Sequence, residues 1–129
     1  MSNPKFFSGI ESSTELSYAY TAENPVMIKN AGLGSSIGSS YYYLSRLRTE
    51  KGNKLLLIER FSVKNPKYNK PIIDMPNLHS GKPMLYGNGP LLDLYILIPQ
   101  NELDTFKIYI NPYSKGIVKI PIGLNFKSE

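Results

Sequence analysis

A chain of 129 residues, 41% hydrophobic and 19% charged, is sized and composed for one globular domain with a single ordinary core. It contains no cysteine, which excludes disulfides, thiolate metal sites and cysteine nucleophiles. Its net charge of +5 is uneven: residues 1–45 hold two cations against three carboxylates, and residues 46–129 hold thirteen against seven.

Ten Tyr, five Phe and no Trp favour strands and amphipathic surfaces over a helical bundle. Residues 1–15 lack periodicity and are rich in Ser, which predicts a flexible arm ahead of a single domain over 16–129. Alternation predicts a short strand over residues 16–21, a turn at Asn24-Pro25, and a second short strand over 26–29. Ser35 and Ser36 are N-cap candidates for one main helix over residues 37–49. Its expected buried stripe is Ile37, Tyr41, Leu44 and Leu47. Arg46 and Arg48 fall in its last turns, and Gly52 lies just beyond as a stop.

Residues 54–63 read as a strand, apolar first and alternating later. The stretch 64–89 is rich in Pro and Gly and predicts a long connection, with a short extended piece at 71–74. The strongest strand signals follow. Leu91 to Ile98 is apolar on both faces, so a buried strand is expected; Phe106 to Asn111 alternates, so its neighbour is expected to be half-exposed. A final strand is predicted over 117–123, at an edge because Pro121 cannot donate to a ladder. Strands and helix do not alternate as βαβ units. The predicted fold is therefore α+β, a mostly antiparallel sheet with one main helix packed on it.

Chemistry has few places to reside. His79 is the only histidine, and neither a GxSxG elbow nor a set of metal ligands accompanies it. Gly32 to Gly38 loosely resembles a phosphate loop, but its spacing departs from the dinucleotide fingerprint, and a plain helix entry is the simpler reading. Asp93 stands inside an apolar strand, where a carboxylate needs donors or a cation; it is either structural or part of a site. Asn111 is either a strand-ending turn residue or a cleft polar group. The basic window contains Arg46, Arg48, Lys51, Lys54, Arg60, Lys64, Lys67 and Lys70 against Glu50 and Glu59. It is either a solvated face or a surface for an acidic protein, a nucleic acid or another polyanion. RNA-motif signatures are missing, so nucleic acid is not the expected partner.

Several short motifs occur in order: Tyr18-Ala19-Tyr20-Thr21 with Asn24-Pro25, Tyr43-Leu44-Ser45-Arg46, Gly89-Pro90-Leu91-Leu92-Asp93-Leu94-Tyr95, Ile108-Tyr109-Ile110-Asn111-Pro112-Tyr113, and Pro121-Ile122-Gly123-Leu124. Together, over residues 16–124, the chain resembles a family of small Bacteroidetes proteins often labelled 2-dehydro-3-deoxyphosphooctonate aldolase. The enzyme label does not fit this chain, because such aldolases are (β/α)₈ barrels of roughly 250 residues with eight alternations. Members of the family commonly carry a lipoprotein signal and mid-chain cysteines; this sequence has no cysteine and no apolar run of signal length at its N-terminus.

The expectation is a non-enzymatic binding protein that needs no cofactor or metal and engages a protein partner, acidic in one version. An immunity or accessory protein of bacterial antagonism is its concrete form. The expected binding residues are Asp93, Tyr95, Tyr109, Asn111, Arg46 and Arg48. The rival is a small hydrolase or lyase with a site at Asp93, Tyr95, Tyr109 and Asn111. The expected location is cytoplasmic, or periplasmic if a signal once preceded this N-terminus, and no membrane span is expected. Oligomeric state is left open.

Overall fold

Leu91–Pro99 (β4) is the backbone of the molecule, as its apolar run demands. It pairs antiparallel on one side with Leu55–Lys64 (β3) and on the other with Phe106–Asn111 (β5). The computed structural model describes residues 10–29, 36–67, 90–114 and 116–127. Val26–Met27 (β1) adds to β5 in parallel, giving a four-stranded mixed sheet in the order β1-β5-β4-β3. The single helix Ser36–Arg46 (α1) runs directly into Leu47–Thr49 (β2), which pairs with Leu124–Phe126 (β6) as a separate two-stranded sheet. The fold is α+β, as expected.

Three local expectations need correction. Residues 16–21 form successive turns instead of a strand, because Ala19 takes a left-handed φ of 70° that no strand tolerates. This backbone strain is held by two hydrogen bonds: the Ala19 amide donates to the Asn24 carbonyl, and the Ala19 carbonyl accepts from the Tyr109 amide at 2.7 Å. The helix ends at Arg46, three residues early, and Gly52 (φ +86°) shapes the turn between β2 and β3 instead of stopping the helix. Of the expected stripe, Leu44 and Leu47 are buried, but Tyr41 is 41% exposed and Tyr43 enters the core in its place with Ser39 and Ser40; the Ile37 side chain lies outside the described set.

The third correction concerns residues 117–123, which carry only an isolated parallel bridge from Ser12 to Ile120. Tyrosine hydroxyls take the place of a ladder there. Tyr43 donates to the Lys119 carbonyl at 2.7 Å, Tyr20 donates to the Ile122 carbonyl at 2.7 Å, and Tyr18 accepts from the Lys119 amide at 2.9 Å. The Ser13 amide donates to the Ile120 carbonyl and the Ile120 amide to the Glu11 carbonyl, so the end of the predicted arm is tied down; residues 1–9 lie outside the described set.

Paired residues share a sheet face and successive residues alternate. Tyr95, Leu97, Ile108, Ile110 and Val26 therefore point to the α1 side, and all are buried in one cluster with Tyr43, Leu47, Val118 and Leu124. Gly116 fits closely against this sheet's edge. A Cβ there would lie 2.9 Å from the Met27 Cβ, an atom that cannot swing away. Gly116→Ala is expected to lose about 1–3 kcal/mol in urea unfolding; an unchanged midpoint would show that β1 and the 116 segment move apart freely.

Candidate functional site

Register separates the expected site residues into two pairs. Asp93 pairs with Ile110 and Tyr95 with Ile108, which places both on the α1 face; Leu94 pairs with Tyr109, which places Tyr109, and Asn111 two residues on, on the opposite face. The four do not line one cleft. Asn111 is consumed by its turn: its amide donates to Ser114 Oγ at 3.1 Å, and its carbonyl oxygen accepts from the Tyr113 amide at 2.9 Å. That is the strand-ending reading of Asn111.

On the α1 face a polar nest does form. The Arg60 guanidinium donates to Asp93 Oδ2 at 3.2 Å and lies 5.7 Å from the centroid of the Tyr95 ring. Tyr41 meets Tyr95 edge-on, with centroids 6.0 Å apart. The Asp93 side chain is 6% exposed, so Arg60 supplies the cation its position requires. Partial burial acts to lower the Arg60 pKa, but the Tyr95, Asp93 and Tyr41 oxygens outweigh it and keep the guanidinium charged. Burial pushes the Tyr95 phenol up to about 12, and the Asp93 charge adds to that rise. The Tyr95 Oη and Ser39 Oγ atoms are buried without a hydrogen-bond partner that meets standard geometry, although Ser40 lies beside the phenol. A phenol held near 12 is protonated at neutral pH and is not a general base there. The nest supports architecture more readily than chemistry. No group of three or more His, Cys, Asp or Glu able to hold a metal occurs among the described residues. His79, the extended piece at 71–74 and the glycines at 32 and 34 lie outside them.

The two arginines expected to bind a partner both bond to carbonyls of the chain itself. Arg48 is buried on β2 and reaches back to the Ser45 and Leu47 carbonyls at 2.8 and 2.9 Å, capping the helix end. Arg46 donates to the Lys127 carbonyl at 2.7 Å and stacks over Tyr42. A second anchor joins two turns. Glu102 Oε2 accepts from Thr49 Oγ1 and Asn53 Nδ2, both at 2.6 Å, and these bonds hold its carboxyl below the ordinary range.

What the sequence reading missed is the exposure of β3. Of its ten residues only Leu55 is buried; Leu56, Leu57, Ile58 and Phe61 are 42–51% exposed. Register slips between Leu57 and Glu59, so Ile58 bulges outward without a cross-strand partner. The cue in the sequence is the lysines that bracket this apolar run, Lys54 and Lys64. Next to it, Tyr41, Leu44 and Ser45 of α1 face Leu55, Leu57 and Leu97 across an open groove of about 280 Å³. No helix among the described residues is long and apolar enough to cross a membrane. Comparison with protein-family models, curated proteins and solved structures finds no match to this chain.

Proposed function

We propose that the chain is a non-enzymatic binding protein that engages a protein partner through β3 and the apolar surface around it. The observation that supports this most is the clustering of Leu56, Leu57, Ile58 and Phe61 on one exposed strand. Leu57 is exposed on the α1 face of the sheet, Leu56 and Phe61 on the other, and Ile58 at the bulge. The strand thus presents apolar side chains on both faces, and exposed apolar surface of this kind marks interaction sites. Aromatic and aliphatic anchors ringed by charge are also what interface centres use. An immunity or accessory protein of bacterial antagonism is the biological role of this type, since it requires a surface and no reaction. A polyanion-binding role is less favoured: Arg46, Arg48 and Arg60 each bond to an oxygen of the chain itself.

The test is recovery of a stoichiometric partner from the native host by the tagged full chain. The Ile58→Asp/Phe61→Asp double variant should lose the partner, because burying each side chain contributes on the order of 1.5–3 kcal/mol to a complex. Ile117→Asp should retain it, since Ile117 is largely exposed and follows Gly116, which packs on Met27 of β1 at the opposite edge of the sheet from β3. Circular dichroism should show both variants folded. A wild-type chain that recovers no partner under gentle conditions would overturn the proposal.

A further inference from the structure

The geometry points to the mode of recognition: an extended partner segment, apolar in its centre and acidic at its flanks, adds as a fifth strand along the free edge of β3. One of its side chains then seats in the groove against α1. This inference rests on the protein-binding reading above and specifies what that surface takes.

Three independent features support it. First, β3 is the last strand in the sheet order, and at ten residues it is the longest. Its inner side pairs with β4 along its length; on its outer side β2 touches only the start, through a single bridge from Arg48 to Lys54, and no strand pairs with residues 55–64 there among the described residues. A row of open amides and carbonyls is complementary to one thing above all, another extended backbone.

Second, the usual protections of an edge are weak here. Natural edges are blunted by charges, prolines or short length. β3 contains no proline, and its charges are Glu59, Arg60 and Lys64, of which Arg60 is drawn back to Asp93. The bulge at Ile58 bends the strand locally but adds an apolar side chain to its rim.

Third, the groove is placed where such a strand would use it. An added strand lies about 4.8 Å beyond β3, and its alternate side chains point to the α1 face. Leu57 points to that face, lines the groove and is 42% exposed. A side chain arriving from the new strand packs over Leu57 and against Tyr41. Backbone pairing supplies affinity and the groove supplies selection.

Charge separates a foreign segment from a second copy of this chain. Lys51 and Lys54 lie at one end of β3, and Lys64 and Lys67 at the other; all four are exposed. Antiparallel pairing of β3 with β3 of another copy brings Lys54 of one toward Lys64 of the other, and like charges placed opposite are unfavourable. Acidic flanks on a partner segment turn the same four lysines into attraction.

The experiment pans a displayed library of random dodecapeptides on the immobilised full chain, then measures synthetic versions of the enriched peptides by fluorescence anisotropy. Enriched sequences should alternate apolar residues and carry Asp or Glu near their ends. N-methylation of alternate peptide amides should weaken binding about tenfold or more, because strand addition needs those donors. Leu57→Asp should do the same by altering the groove, and Ile117→Asp, at the opposite edge of the sheet, should leave binding unchanged. Peptides that tolerate N-methylation on both sets of alternate amides, or that bind the Leu57→Asp chain normally, would overturn strand addition. So would failure to enrich any peptide. In each of those cases a native partner lost on Ile58→Asp/Phe61→Asp would still uphold the broader protein-binding reading. A concentration-dependent dimer in sedimentation that Leu57→Asp abolishes would assign the edge to a second copy and overturn the foreign segment.

Discussion

Tyr43→Ala is expected to remove about 3–5 kcal/mol of stability, much of what a domain of this size possesses. Tyr43 is fully buried, packs 5.9 Å from the Phe126 ring, and donates the hydrogen bond that holds Lys119 in place. Its removal leaves a cavity between α1 and the 117–126 segment and strips a buried carbonyl of its donor. Tyr43→Phe separates these two losses. It keeps the ring and deletes the hydroxyl, so it should cost about 1–3 kcal/mol, the desolvation penalty of the Lys119 carbonyl left unpaired. Urea unfolding of the three proteins checks both values. If Phe were as damaging as Ala, the hydroxyl rather than the ring would be the dominant contribution.

The prominence of Tyr43 was not legible from spacing alone. In Tyr41-Tyr42-Tyr43 any of three residues can lead a helical stripe, and an i, i+4, i+7 count from Ile37 selects Tyr41. What selects Tyr43 is the acceptor at Lys119, 76 residues away, which no local pattern contains. Residues 117–123 have the same history. They alternate like a strand, yet phenols from Tyr18, Tyr20 and Tyr43 satisfy Lys119 and Ile122, and no ladder forms. By contrast β4 and β5 were legible because their signal is intrinsic: apolar runs of strand length bounded by turn residues. The site shows the same contrast. Alternation along β4 and β5, once their register is known, separates Asp93 and Tyr95 from Tyr109 and Asn111. Neither the register nor the Arg60 partner of Asp93 could be read beforehand. The exposure of β3 was hidden for a different reason. An apolar run reads as buried, and only the strand order shows that β3 ends the sheet.

Above pH 10 the protein is expected to lose stability steeply and to unfold within about two pH units. Burial pushes the Tyr18 phenol up to about 12, and its hydrogen bond from the Lys119 amide only partly offsets this. Burial, reinforced by Glu50, pushes Tyr20 up to about 12 as well; Tyr95 stands at about 12, and Tyr43 is raised further by full burial. An unfolded chain ionises its tyrosines near 10. A group whose pKa is raised by folding stabilises the fold fully below the unfolded value. That contribution disappears as pH climbs through the folded value. For the well-buried Tyr18 and Tyr95 the contribution is on the order of 2–3 kcal/mol each. Two such losses consume a large part of a stability of about 5–15 kcal/mol. Ionisation also breaks specific bonds: a phenolate cannot donate, so Tyr20 releases the Ile122 carbonyl and Tyr43 releases that of Lys119. Tyr18 differs, because it accepts from the Lys119 amide and a phenolate accepts more strongly. The 117–123 segment should therefore open when Tyr20 or Tyr43 ionises. Phenolate absorbance followed alongside circular dichroism tests this. These four tyrosines should appear only within the unfolding transition, and their complete ionisation while the fold persists would refute the account.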